Sequence, residues 1–163
     1  MPADEMAKLP TRSPTHEDVP PGRLAAMGLE IEDIADGDEV ALPALVELAE
    51  DRGRPVSHYL AAIPLATELR LAGAAAITVR VCAGTCQRWG ALELLDHLAE
   101  RHLAERHLAE RANRSAAFAI APVSCLDRCD LAPACEIHGA HGQLVVAPAT
   151  RTALDEALRE LAS

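Results

Sequence analysis

Helical patterns dominate residues 39–73, where apolar residues are interleaved with charged ones. The first predicted helix spans residues 40–52 and stops at Gly53, which stands where a C-terminal cap is favoured. A second helix is predicted from Ser57, and Pro64 is expected to kink or break it because proline lacks the N–H that a helix interior uses. These residues predict a small helical module.

Four later runs predict strands, the first of them by its β-branched residues. They are residues 75–81, 118–123, 136–138 and 143–146. A long helix is predicted between the first two, from about Arg88 to Ala112. The glycines at 139 and 142 make the last two strands a hairpin, and a capping box at Thr152 opens a final helix. The pattern therefore predicts an α/β protein in which helices precede a β-α-β-β-β arrangement that closes in a helix.

The N-terminal residues 1–38 are rich in Pro, Asp and Glu and show little apolar periodicity, so we expect a flexible arm. The chain has 163 residues, of which 50% are hydrophobic, enough for one modest core. We therefore divide it into an arm over residues 1–38, the helical module over residues 39–73 and an α/β domain over residues 74–163.

Composition argues against two classes of function. Aromatic residues make up 2% of the chain and the formal net charge is −10, so nucleic acid is not an expected partner. No apolar run approaches the roughly 20 residues that span a bilayer, and the N-terminus has neither a basic nor an apolar signal region. We expect no direct membrane insertion and a cytoplasmic location, which includes the cytoplasmic side of a membrane-associated complex.

Three equally spaced histidines, His97, His102 and His107, stand in a tandem repeat within the long predicted helix. Five residues advance a helix by about 500°, so each histidine is displaced by about 140° from the previous one. The three side chains therefore cannot converge on one ion. The repeat predicts a solvated helix extension and no ligand role.

The cysteines carry the candidate chemistry. Two spaced pairs, Cys82 with Cys86 and Cys125 with Cys129, each follow a predicted strand. Loops at the ends of strands on either side of a crossover helix can bring distant thiolates together, so the pairs form a candidate four-thiolate metal site. A reducing cytoplasm favours metal ligands or redox groups over structural disulfides, and the odd fifth cysteine, Cys135, also fits disulfides poorly.

The residues alone do not decide which metal or cluster this site binds. Each iron of a [2Fe-2S] cluster takes two thiolates, so two pairs supply a complete set. Zinc also accepts four cysteines and would make a structural clip. A dithiol switch and an empty, degenerate site are compatible with the two pairs as well. Cys135 is interpreted as a small buried hydrophobe, with a substitute ligand for the cluster as the alternative.

The chain resembles the thioredoxin-like [2Fe-2S] ferredoxins in residues 81–91, in the long helix predicted after them, and in residues 123–133. Within this family the segments look like those of the small iron–sulfur subunit of NADH dehydrogenase and the gamma subunit of NAD-dependent formate dehydrogenases. The likeness implies a thioredoxin-like domain with a mixed central sheet, in which Cys82 with Cys86 binds one iron and Cys125 with Cys129 binds the other. Two features of the cysteine loops depart from the family: three residues rather than four separate the first pair, and Asp127 stands where glycine is common. Aspartate tolerates left-handed backbone better than most residues, so the second turn is expected to survive.

The resemblance implies an electron-transfer subunit. Its cluster would lie beside the flavin of a flavin- and NAD-binding partner subunit, within a complex of the NADH dehydrogenase, formate dehydrogenase or hydrogenase type. This chain contains neither a Gly-rich dinucleotide fingerprint nor a Walker loop, so we expect catalysis to belong to the complex. The alternatives are a structural or assembly subunit with a zinc-filled or empty site, and a free-standing [2Fe-2S] ferredoxin.

Overall fold

The computed structural model describes residues 16–73, 75–111, 118–140 and 142–162, and of residues 109, 110, 129 and 162 it describes the backbone only. The helices in these ranges are α1 (Pro21–Ile34), α2 (Leu42–Arg52), α3 (Val56–Ala66), α4 (Ala91–Arg111) and α5 (Arg151–Ala162). The strands are β1 (Glu39–Val40), β2 (Arg70–Leu71), β3 (Thr78–Cys82), β4 (Ala119–Val123), β5 (Cys135–Gly139) and β6 (Gly142–Val146). Two short 3₁₀ turns cover Thr85–Trp89 and Cys129–Leu131.

The central sheet has the strand order β4-β3-β5-β6. Strands β3 and β4 run parallel, joined by the crossover helix α4, whereas β5 is antiparallel to both β3 and β6. Strands β1 and β2 form a separate two-residue parallel ladder in the helical module. The predicted fold class is confirmed: N-terminal helices are followed by a thioredoxin-like α/β domain with a mixed sheet.

The flexible arm predicted for residues 1–38 is wrong for its second half. Helix α1 lies there and packs against α3, with Met27 and Ile31 fully buried. A close crossing is possible because a Cβ on Gly28 would lie 3.1 Å from Ala66, tighter than most contacts. Residues 1–15 of the arm lie outside the described residues.

Several helix ends differ from the prediction. Helix α2 does end at Gly53, which has the expected left-handed backbone (φ 65°). Helix α3 continues past Pro64 to Ala66, because a proline in the last turn removes only one hydrogen bond near a terminus. Helix α5 is capped by Thr150, whose Oγ1 accepts the N–H of Ala153 at 3.0 Å, rather than by a box at Thr152.

One continuous core joins the helical module to the sheet. It includes Leu45 and Leu60 of the module, Val79 and Ile137 of the sheet, and Leu95 of α4. The part of the chain that the structure describes has no helix that is both long and apolar enough to cross a membrane.

The three repeated histidines do not converge, as predicted. The Nε2 atom of His97 lies 2.9 Å from the Asp155 carboxylate, and the ring of His102 meets the edge of Phe118 at a centroid distance of 5.4 Å. His107 is exposed.

Candidate metal centre

The two cysteine loops start at neighbouring strand ends. The first cysteine loop (residues 83–90) follows β3 and the second cysteine loop (residues 124–134) follows β4. The N–H of Ala83 donates to the Val123 carbonyl at 2.7 Å, and the N–H of Cys82 donates to the Ala134 carbonyl at 3.2 Å. The start of the first loop is therefore held between both ends of the second loop, because β3 pairs with β4 on one side and with β5 on the other.

Gly84 is the point of closest approach between the loops. A Cβ built on this residue would lie 2.3 Å from the carbonyl oxygen of Ser124, a separation that real Cβ atoms do not show. Only glycine fits here without a movement of the backbone. The two loops can therefore lie this close only because residue 84 has no side chain.

The sulfur of Cys82 lies at the centre of this contact. Its side chain is 2% exposed, and Sγ lies 3.8 Å from the Ser124 carbonyl oxygen. The Cys86 thiol and the N–H groups of Gly84, Cys86 and Leu126 hydrogen-bond to this sulfur. These bonds, the Cys86 thiol first, outweigh desolvation and lower the pKa of Cys82 to about 6, so the thiolate predominates at neutral pH.

Cys86 lies in the 3₁₀ turn of the first loop and is 1% exposed. Its surroundings are apolar. We call these packed residues the cysteine cluster: Cys82, Cys86, Trp89, Ala91, Ala132 and Ala134. Gly90 ends the turn with a left-handed backbone (φ 100°), which is why α4 begins at Ala91 and not at Arg88 as predicted.

Sequence reasoning missed Gln87, a buried polar residue of the first loop. Its Nε2 donates to the Ala83 carbonyl at 2.6 Å, and its Oε1 accepts the N–H of Val19 at 2.8 Å. Arg88 adds a 3.0 Å ion pair with Asp18. The segment that precedes α1 is thereby attached to the first cysteine loop, a long-range contact that no local pattern signals.

The second loop presents Cys125 on the surface. The N–H of Asp127 donates to its sulfur at 3.2 Å. Asp127 has a left-handed backbone (φ 59°), so the expectation that aspartate would preserve this turn is confirmed. Cys129 begins the 3₁₀ turn Cys129–Leu131, and its side chain lies outside the described part of the chain.

Cys135 is fully buried in β5, opposite Val81 of β3. Burial first, and the neighbouring Cys82 charge second, raise the pKa of Cys135 to about 12. Cys135 is therefore a neutral thiol at physiological pH, which fits the buried hydrophobe of the sequence interpretation.

The structure brings Cys82 and Cys86 together and sets Cys125 on the loop that touches Cys82 through its backbone. Among the side chains described, no group of three or more Cys, His, Asp or Glu residues is close enough to hold a metal ion. The set of four thiolates therefore stays a prediction. The chemistry of the donors fits an anionic sulfur centre, because the backbone N–H groups of Gly84, Cys86 and Leu126 help to lower the pKa of Cys82, and the N–H of Asp127 donates to the Cys125 sulfur.

Comparison with known proteins adds no relative: the chain matches no protein-family model, and no curated protein is significantly similar to it. The likeness to [2Fe-2S] ferredoxins thus depends on the cysteine segments, and the thioredoxin-like fold class depends on the sheet order.

Proposed function

We propose that this chain is an electron-transfer subunit that holds one [2Fe-2S] cluster. Cys82 and Cys86 would bind one iron, and Cys125 and Cys129 the other. The observation that carries the proposal is the contact between the two cysteine loops beside Cys82, where the N–H of Ala83 donates to the Val123 carbonyl and Gly84 lies against Ser124. A binuclear cluster is held by four thiolates, so two neighbouring dithiol loops offer a complete set of ligands.

Ionisation of the thiols supports this assignment. Iron binds thiolates, so ligands that are already deprotonated bind it without releasing protons. The pKa of about 6 makes Cys82 such a ligand at neutral pH. Cys125 has its own backbone donor in Asp127. These N–H groups would remain bonded to sulfur in the loaded protein and tune its potential.

A bound cluster of this type accepts and donates one electron at a time, at about −400 mV for an all-cysteine centre of the plant-ferredoxin type. The chain's own residues would exclude water from the Cys82–Cys86 side, where Ala91, Ala132 and Ala134 pack against the thiols. Cys125 is exposed, and we propose that this side faces the flavin of the partner.

We propose a flavin- and NAD-binding subunit as the partner, in an NADH dehydrogenase, formate dehydrogenase or hydrogenase type of complex. The resemblance of the cysteine segments motivates the partner's class. A flavin spectrum in the fraction that copurifies with the native chain would support it. A chain that carries its cluster alone and reduces soluble acceptors would instead be a free-standing ferredoxin.

Iron, zinc and sulfide analysis of the full chain, purified without oxygen, tests the cluster. We expect two irons and two sulfides per chain in the wild type and in Cys135→Ala, which removes a cysteine that is not assigned as a ligand. We expect Cys129→Ala to lose them. One zinc, or no metal after reconstitution with iron and sulfide, would contradict the proposal and leave a structural or assembly subunit.

One observation favours a second candidate, a dithiol switch. The Cys86 thiol contacts the Cys82 sulfur, so the two could form a disulfide. The pair would pass two electrons and two protons to a small disulfide such as oxidised glutathione, which leaves as two thiols. A mass decrease of about 2 Da confined to the peptides of these two residues supports this candidate over the cluster, if no iron binds.

A further inference from the structure

The indole N–H of Trp89 is buried without a partner. The residue is 9% exposed, and its Nε1 atom has no hydrogen-bond acceptor among the described residues. An unsatisfied buried donor destabilises a fold, and folded proteins leave few of them. An acceptor that reaches Trp89 only in the loaded protein would remove this destabilisation.

The neighbours of the ring limit what that acceptor can be. Trp89 packs within the cysteine cluster, whose other described members are alanines and two cysteines. Their side chains offer one kind of acceptor atom, the sulfurs of Cys82 and Cys86. A sulfur-rich group held by these residues is therefore the acceptor that this environment suits.

The local helix also aligns Trp89 with Cys86. Both belong to the 3₁₀ turn Thr85–Trp89, and Trp89 follows Cys86 by three residues. In a 3₁₀ helix the side chains at i and i+3 eclipse one another. The indole therefore lies on the same edge of the turn as the Cys86 thiol, and the left-handed Gly90 fixes it as the last residue there.

We propose that Trp89 donates its Nε1–H to a sulfur atom of the [2Fe-2S] cluster and thereby raises the reduction potential. This inference rests on the proposed function. Hydrogen bonds to the sulfurs are one of the factors that set the potential, because they stabilise the more negative reduced state. Trp89 is thus a tuning residue in contact with the cofactor, in addition to its packing role.

The midpoint potential of the loaded full chain measures this bond. Trp89→Phe keeps a ring but removes the N–H. We expect the equilibrium constant for reduction of the cluster to fall roughly tenfold, which for one electron lowers the midpoint potential by about 59 mV. Tyr59→Phe is the control, because it removes the polar hydrogen of another buried ring in the helical module. We expect no shift in this control.

A second replacement separates the hydrogen bond from packing. Trp89 is the only tryptophan of the chain, so biosynthetic incorporation of benzothienylalanine, which has the shape of tryptophan without the N–H, changes this position alone. We expect the isostere to retain two irons and two sulfides and to show the lowered potential, even if Trp89→Phe loses the cluster. A loaded isostere with the wild-type potential would overturn the inference. A wild-type chain that binds no cluster would instead overturn the proposed function, and this inference with it.

Discussion

The variant Gly84→Ala tests the contact between the two cysteine loops. A Cβ at this position would lie 2.3 Å from the Ser124 carbonyl oxygen, whereas ordinary contacts begin at 3.4 Å. The loops must therefore separate by about 1 Å, since both atoms belong to backbone or are fixed to it. The N–H of Leu126 would move with Ser124 and lose its bond to the Cys82 sulfur.

Overpacking of this kind costs about 1–3 kcal/mol, so we expect the free energy of unfolding of the metal-free chain to decrease by that amount. The pKa of Cys82 should rise towards its usual value, because one of its N–H donors is lost. Gly142→Ala is the matched control: nothing lies within 4 Å of the added methyl, and we expect a change within about 0.5 kcal/mol.

Urea unfolding under reducing conditions measures the difference, with an unchanged slope as evidence that the same surface is exposed. Tryptophan fluorescence reports on the site itself, since Trp89 belongs to the cysteine cluster. The pH dependence of the ultraviolet thiolate absorbance, taken as the difference from the same chain with Cys82→Ala, follows the pKa of the buried Cys82. If Gly84→Ala were as stable as Gly142→Ala and its Cys82 kept the wild-type pKa, the described contact between the loops would be wrong.

Three further predictions concern the chain without metal. The pKa of Cys82 is about 6 in the folded chain and its usual value is 9.0, so we expect the free energy of unfolding to rise with pH between these values and the gain to be lost as the pH falls through 6. Urea unfolding at several pH values measures this, and the dependence on pH should be weaker in Cys82→Ala. Asp127→Gly should retain or increase stability by up to about 1 kcal/mol, whereas the β-branched Asp127→Val should lose about 1–2 kcal/mol at this left-handed position; equal stabilities would refute the described turn. Thr150→Ala should lower the free energy of unfolding by about 1 kcal/mol through loss of the cap on Ala153, and Thr152→Ala should not, as thermal or urea unfolding can decide.

Features with a local chemical cause could be predicted from the sequence. Gly53 ends α2 because a left-handed backbone suits glycine, and β5 and β6 pair as the predicted hairpin. The placement of both cysteine pairs after strands was also predictable. Their loops are neighbours because β3 and β4 are parallel strands joined by a crossover helix.

The missed features depend on contacts between distant segments. Helix α1 owes its burial to packing on α3, and the Pro and acidic residues around it obscured the spacing of Met27 and Ile31. The bond from Val19 to Gln87 links residues 68 positions apart. The N–H groups that surround the Cys82 sulfur are backbone atoms, so no residue type in the sequence announces them.

Visible absorption and reduced-state EPR of the full chain, purified without oxygen, test the central claim most directly. We expect a brown protein whose absorption bleaches on reduction as a rhombic EPR signal appears, in proportion to two irons and two sulfides per chain. A colourless protein that gives no such signal, whether it holds zinc or no metal after reconstitution, would contradict the assignment of Cys82, Cys86, Cys125 and Cys129 as cluster ligands.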